Sequence, residues 1–240
     1  MKVRGKKTKK GQALVLLSGG IDSTTALYWA SQRYETVVPV IFDYGQRHRA
    51  EIQMAQKTAV RMGFKPRVIK IDLRQVGGSA LTDKRIEVPS FKKIEEIKEG
   101  LPITYVPFRN GIFISIAAAL AETLGLSDII CGFNVIDSPN YPDTTGSFIR
   151  AMEKAINEGT GAKFSQQKFR IIAPFLKKKK SEIIAYGLSV GADYSYSITC
   201  YSGSEIPCGR CSACLLRAQA WEEVGQEDHL ISRLKKEGKI

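Results

Sequence analysis

The feature that most constrains this chain is an apolar run at residues 13–17 that ends abruptly on Ser18-Gly19-Gly20-Ile21-Asp22-Ser23-Thr24-Thr25. Five apolar residues in a row, without alternation, suit a strand buried on both faces, as in a parallel sheet. Paired glycines then permit a tight turn whose backbone N–H groups can approach an anion. A helix predicted over 24–33 would add its unpaired N–H groups and positive dipole end to that cradle. Ser18, Ser23, Thr24 and Thr25 supply hydroxyl donors. No lysine closes the loop, so it is not G-x-x-x-x-G-K-[ST], and it is not G-x-G-x-x-G either. The plainer alternative is an ordinary strand–helix turn with Asp22 as a cap.

Further strands are predicted at 37–42, 68–73, 128–135 and 170–175, with Pro39 leaving the edge or register of the second one open. Helices are predicted at 49–62, 111–124, 147–157, 180–188 and 213–224, and Gly63 stands ready as a helix stop. Between 74 and 109 the glycines and prolines predict a long loop holding one short charged helix at 92–99. Strand alternating with helix predicts an α/β fold with a doubly wound, mostly parallel sheet, its ligand beyond the C-terminal strand ends. The expected organisation is a basic disordered tail at 1–12, a nucleotide-binding α/β domain at 13–195 and a C-terminal helical zinc-binding segment at 196–240.

That last segment follows from the cysteines. Cys200, Cys208, Cys211 and Cys214 are spaced C-x7-C-x2-C-x2-C. Cys211 and Cys214 share a helical face, and Pro207 and Gly209 allow Cys208 to turn toward them. Four thiolates leave no open position, so a structural Zn²⁺ is expected, with an iron–sulfur cluster or free thiols as the alternatives. Cys131, within the fourth strand, reads as a core thiol. Reduced cysteines and no apolar run long enough to cross a bilayer point to a cytoplasmic protein without membrane contact.

The net charge of +12 at pH 7 is local rather than general. Residues 1–10 carry six positive charges and no negative one, and 177–180 carry four more; removing both leaves +2. Such tracts usually lie solvated. A nucleic-acid face would spread its cations along the fold among aromatics, so a zinc-stabilised nucleic-acid-binding or tRNA-modifying module is the least favoured reading.

The octet at 18–25 resembles the phosphate loop of the N-type ATP pyrophosphatases. Phe42-Asp43-Tyr44-Gly45-Gln46-Arg47-His48, Thr104-Tyr105-Val106-Pro107-Phe108-Arg109-Asn110, Tyr141-Pro142-Asp143 and Cys208-Gly209-Arg210-Cys211 resemble the QueC family, the 7-cyano-7-deazaguanine synthases. The likeness runs from about residue 13 to residue 221. It implies an adenine nucleotide alpha-hydrolase-like fold, ATP and Mg²⁺ as well as zinc, and a homodimer. The implied reaction is adenylation of 7-carboxy-7-deazaguanine, attack by ammonia to give the amide, and a second activation to the nitrile.

Carried onto this chain, the resemblance assigns catalytic roles to Asp22, Arg109 and Lys180, with Asp22 helping to hold Mg²⁺. Ser18, Gly19, Gly20, Asp22, Ser23, Thr24, Asp43 and Tyr44 would bind ATP. Gln46, His48, Asn110, Asp137, Tyr141 and Asp143 would bind the deazapurine acid, although Asn110 could merely cap its helix and His48 could be only structural. Three departures stand out. Thr144-Thr145 replaces the family's usual Cys-Arg, Phe108 replaces a glycine, and Ser197-Ile198-Thr199-Cys200 exchanges a Thr and a Ser. These motivate a second reading, a QueC-like paralogue that passes the acyl group to a protein amine instead of ammonia.

Overall fold

The computed structural model describes residues 10–136 and 140–240. Five parallel strands, β1 (Lys10–Leu16), β2 (Tyr34–Asp43), β3 (Arg67–Lys70), β4 (Asp128–Ile130) and β5 (Arg170–Ile172), lie in the order β3-β2-β1-β4-β5. The helices are α1 (Ile21–Ser31), α2 (Ala50–Arg61), α3 (Arg109–Thr123), α4 (Gly146–Gly159), α5 (Lys180–Ser189), α6 (Ser212–Val224) and α7 (His229–Lys236). The chain leaves β1 toward β2 and later returns to the other side of β1 as β4. The switch point of the sheet therefore lies at the C-terminal end of β1, where such sheets place ligands.

Both faces of the sheet are covered, which explains the unbroken apolar run of β1. Ala13, Val15 and Leu17 enter one core, shared with Ala26, Leu27, Ala55, Ile183 and Trp221. Leu14 enters the other, shared with Ile114, Ala117, Ala121 and Ile149. Alternation along one strand thus feeds two cores, with α1, α2, α5 and α6 on one side and α3 and α4 on the other. A third, smaller core gathers Met54, Ile198, Leu230 and Leu234 around Cys200, Cys211 and Cys214.

Pro39 does not place β2 at an edge. The Val40 carbonyl accepts from Leu17 N–H at 2.8 Å, so residue 40 turns its polar groups toward β1. Alternation turns those of Pro39 the other way, and β3 begins pairing only at Val40. The missing N–H thus falls beyond the end of a ladder. Other boundaries also moved. β1 begins at Lys10, inside the segment assigned to the basic tail, since Lys10 and Gln12 pair with Tyr34 and Thr36; residues 1–9 lie outside the described residues. The charged helix expected at 92–99 shrinks to one 3-10 turn, Ile94–Glu96, stopped by Gly100 and Pro102. Helix α7 was not anticipated, although Asp228 caps it by accepting from Leu230 N–H at 2.9 Å. Cys131 is fully buried, and that burial holds its thiol protonated.

At the far end of the sheet, Asp128 is 2% exposed and takes a 2.6 Å hydrogen bond from the Tyr34 hydroxyl and a 2.7 Å one from Arg170 Nε. This buried carboxylate joins β2, β4 and β5 at their starts, away from the switch point. Tyr34→Phe should cost about 1.5–3 kcal/mol, the range for a hydrogen bond to a charged group. Urea unfolding would measure the loss, with catalytic activity at saturating substrate unchanged.

Candidate active site and metal centre

A cavity of about 550 Å³ opens where β1, β2 and β4 end. Its floor is the turn after β1. Gly19 has φ +89, and a Cβ there would lie 2.8 Å from the Glu51 carbonyl oxygen, so only glycine fits. Gly20 has extended backbone and precedes α1 directly, which begins three residues earlier than the sequence suggests and so brings Ile21 and Asp22 into its first turn. The Ser18 and Ser23 hydroxyls lie 3.0 Å apart; Ser18 N–H donates to Ser23 Oγ at 3.2 Å and Gly20 N–H to Ser18 Oγ at 3.3 Å. The loop is thereby held open around its own hydroxyls, with a helix N-terminus behind it.

Two cations line this cavity. Lys180, the first residue of α5, places Nζ 2.9 and 3.1 Å from the two carboxylate oxygens of Asp22. Arg109, the first residue of α3, donates from Nη1 to the Tyr44 hydroxyl at 3.3 Å and lies over the Tyr44 and Phe113 rings. Burial opposes the charge of Arg109, but the Tyr44 hydroxyl that accepts from it and the carboxylates of Glu51 and Asp143 outweigh that and keep it firmly protonated. Burial pushes the Tyr44 hydroxyl up to about 12, so it stays a neutral donor.

Aromatic groups build the remaining wall. Phe42 stacks on Phe113 at 4.1 Å between centroids, and Tyr105, Tyr141 and Tyr201 gather near Thr104, whose hydroxyl lies 3.2 Å from that of Tyr141. Flat walls with a few polar tips suit a planar heterocycle. Three buried polar atoms of the lining residues have no partner among the described residues: His48 Nδ1, Arg109 Nε and Thr199 Oγ1. Buried polar atoms without partners are costly, and at a cavity they mark where a ligand supplies the missing bonds.

Of the residues assigned from sequence, the structure brings Ser18, Gly20, Asp22, Ser23, Tyr44, Gln46, His48, Arg109, Asn110, Tyr141 and Lys180 to this one cavity. Gly19 shapes the floor from behind. Thr24 points into the protein, Asp43 holds the Gly45 turn through a long 3.5 Å hydrogen bond, and none of Thr24, Asp43 or Asp143 lines the cavity. Asp143 is buried and accepts from Asn110 N–H at 3.0 Å through Oδ2, at the start of α3, while its Oδ1 has no partner among the described residues. Asp137 lies outside the described residues. Sequence reasoning missed Glu51, Thr199, Tyr201 and Gly132, all of which line the cavity. Gly132 had a legible place, directly after the fourth strand. A Cβ on it would meet Ser23 N at 2.6 Å, showing how closely the exit of β4 presses on α1.

Beside the cavity the four cysteines bring their sulfurs within 4.8 Å of one another, with Cys208 and Cys214 at 3.9 Å. A tetrahedral ion with bonds of about 2.3 Å needs sulfurs roughly 3.8 Å apart, so the set fits. Backbone N–H groups of Ser202 and Cys208 donate to Cys200 Sγ at 3.4 and 3.3 Å, and Cys211 N–H donates to Cys208 Sγ at 3.4 Å. Such bonds orient thiolates and offset their charge.

The family model described as queuosine biosynthesis protein QueC matches residues 12–225. The chain belongs to the QueC family. A 7-cyano-7-deazaguanine synthase of Clostridium kluyveri is 48% identical over 220 residues, covering 90% of this chain and 96% of that one. Those of Trichodesmium erythraeum and Thermoplasma acidophilum are 42% and 44% identical; the match spans 92% of this chain in both cases and 100% and 92% of theirs. The fold is also that of a 4-thiouridine synthetase solved with RNA and ATP, at a TM-score of 0.50 and 21% identity over 90% of this chain and 50% of that one. The QueC chain is thus an ATP-using synthase with a four-cysteine metal site. No helix among the described residues is long and apolar enough to cross a membrane.

Two outcomes follow from this geometry. Gly132→Ala should displace the first turn of α1 and lower ATP-dependent turnover by about 10²-fold, as misplacements near 1 Å do, with circular dichroism unchanged. A strong chelator should release one metal ion per chain, read by elemental mass spectrometry, and lower the melting temperature; Cys211→Ser should copy both effects.

Proposed function

We propose that this chain converts 7-carboxy-7-deazaguanine to 7-cyano-7-deazaguanine by two rounds of ATP-dependent activation. The observation that carries this reading is the convergence, in one cavity, of an anion-binding turn, two cations and an aromatic slot. The names of relatives more than 40% identical over nine-tenths of the chain support it.

In this reading the Ser18–Ser23 turn takes the polyphosphate, and Asp22 holds Mg²⁺, which neutralises the phosphates when bound. Magnesium–ATP would draw Asp22 from Lys180 and free that ammonium for the phosphate oxygens. Arg109 then meets charge that develops on the reacting carboxylate and α-phosphate. The protein does little covalent work; it places carboxylate and α-phosphate in line and keeps water out. The acid's ring lies against Tyr141 and Tyr201, with Asn110 among the polar groups that select it. The four cysteines hold Zn²⁺ as a structural ion, since no ligand position remains for substrate. The protein acts in the cytoplasm and as a homodimer.

The test is direct. Incubation with 7-carboxy-7-deazaguanine, magnesium–ATP and ammonium should release AMP and pyrophosphate and yield first the amide and then the nitrile by mass. AMP release at background, with neither product formed, overturns the reading. The specific reason to keep the second one is Thr144, a cavity-lining residue where the family pattern has cysteine, next to Thr145 in place of arginine. A deazapurine mass added to a co-expressed protein, with no free amide or nitrile, would favour the protein amine as acceptor.

A further inference from the structure

One edge of the cavity carries a carboxylate that the scheme above leaves idle. Glu51, in the first turn of α2, lines the cavity with its side chain only 16% exposed. Its Oε1 accepts from Gln46 Nε2 at 3.0 Å, the single hydrogen bond to its side chain among the described residues. Its Oε2 lies 3.6 Å from His48 Nε2, beyond hydrogen-bond length. His48 is 4% exposed, lines the same cavity, and has no partner for Nδ1 among the described residues.

An ionised carboxylate can accept about four hydrogen bonds, so this half-buried one keeps most of its capacity turned to the cavity. Packing alone gives no reason to set a carboxylate here, since an apolar residue would cover the place at a lower desolvation cost. The groups that face it are His48 on its own approach, Gln46 and Tyr44 from the end of β2, and Arg109 from α3. Burial raises the Glu51 carboxyl above its ordinary range, opposed by the charge of His48, the Gln46 hydrogen bond and the charge of Arg109. A carboxyl raised in this way is a better proton acceptor than one in water.

We propose that Glu51, with His48 beside it, accepts the proton that the attacking nitrogen loses as the acyl adenylate becomes the amide. This rests on the reading under Proposed function and deepens it. The lone pair of NH₃ forms the C–N bond to the carbonyl carbon. The bond from that carbon to the phosphate oxygen breaks, and AMP leaves with its electron pair. The nitrogen still carries three hydrogens and a positive charge; one proton passes to the Glu51 carboxylate, leaving the neutral amide. Water in the cavity then takes that proton and restores Glu51 as its anion. The sum is acyl adenylate plus NH₃ giving amide, AMP and H⁺. Glu51 is on this account a catalytic residue and Gln46 a positioning residue.

The two half-reactions separate the possibilities. The first is ATP–pyrophosphate exchange dependent on 7-carboxy-7-deazaguanine. The second is amide formation at a fixed concentration of free NH₃ across pH. In the wild type, amide formation should fall as pH drops, along an acidic limb lying above the usual carboxylate range. Glu51→Gln keeps an acceptor oxygen for Gln46. It should lower amide formation by about 10²-fold or more, the usual weight of a general base, lower exchange far less, and abolish the limb. His48→Gln removes a charge that holds the Glu51 carboxyl down, so the limb should move to higher pH; this readout stands even where Glu51→Gln fails to fold. Equal loss of both half-reactions in Glu51→Gln, a limb that survives in it, or an unmoved limb in His48→Gln overturns the proposal. Wild-type protein without exchange overturns the adenylation reading and this proposal together; normal exchange and normal amide formation in Glu51→Gln overturn this proposal alone.

Discussion

The arrangement of the cavity depends on how closely three distant segments press on the turn at Gly19. The α2 backbone closes on it through the Glu51 carbonyl, leaving no room for a Cβ. The exit of β4 closes on the first turn of α1 at Gly132. The C-terminal segment closes on it through Ile198 N–H, which donates to the Gly19 carbonyl at 2.8 Å. A turn with positive φ and exposed N–H groups has little intrinsic stability, so these contacts are what hold it in one shape before any ligand arrives. Rigid support of this kind is what allows backbone groups to serve as binding groups.

The third contact ties the turn to the four cysteines that could hold a metal ion. Ile198 and Cys200 lie in the same small core as Cys211 and Cys214, two residues apart in sequence. Thr199, between them, and Tyr201, just beyond, line the cavity. A segment of this size, rich in turns, buries too little apolar surface to order itself firmly. Tying the sulfurs together fixes Ile198 against the turn on one side and Tyr201 against His48 on the other, their rings 5.8 Å apart. A metal held there would act on the chemistry only through position.

Much of this could be read from the residues, and what could not has a physical cause. The apolar run of β1, the octet after it and the cysteine spacing are local patterns, and each one restricts structure by itself. Glu51 could not be found in this way. It stands on an amphipathic helix, where a polar residue in the first turn is ordinary, and only the approach of α3 and the β2 end brings Arg109 and Gln46 around it. Asp143 is a different case. Its place in a recognisable motif brings it beside the site, where one carboxylate oxygen takes the Asn110 N–H at the start of α3 and the other has no partner among the described residues. Motif membership gives proximity to a site, while the direction of a side chain depends on which backbone donors lie unpaired nearby. Pro39 left the edge and register of β2 open for a related reason, since its tolerance depends on where a neighbouring strand begins.

The departures from the family pattern can be argued in the same terms. Phe108 has φ 52 and ψ 23, the left-handed region, and is the one non-glycine residue there among the described residues. A glycine would take that conformation freely, whereas a side chain adds a strain of roughly 1–2 kcal/mol. The chain answers locally. Phe108 N–H donates to the Tyr105 hydroxyl at 2.9 Å, and its ring meets Phe148 edge-on at 6.0 Å. The ring also lies where a Cβ on Gly111 would stand, 2.4 Å from its nearest atoms, so the missing side chain at 111 is the space the ring occupies. On the same side, Thr145 caps α4 by accepting from Phe148 N–H at 3.2 Å, and Thr144 donates to the Tyr141 carbonyl at 2.8 Å. Phe108, Thr144 and Thr145 therefore lie in one patch at the entrances of α3 and α4. What they preserve is the start of α3, and with it the position of Arg109 over the cavity.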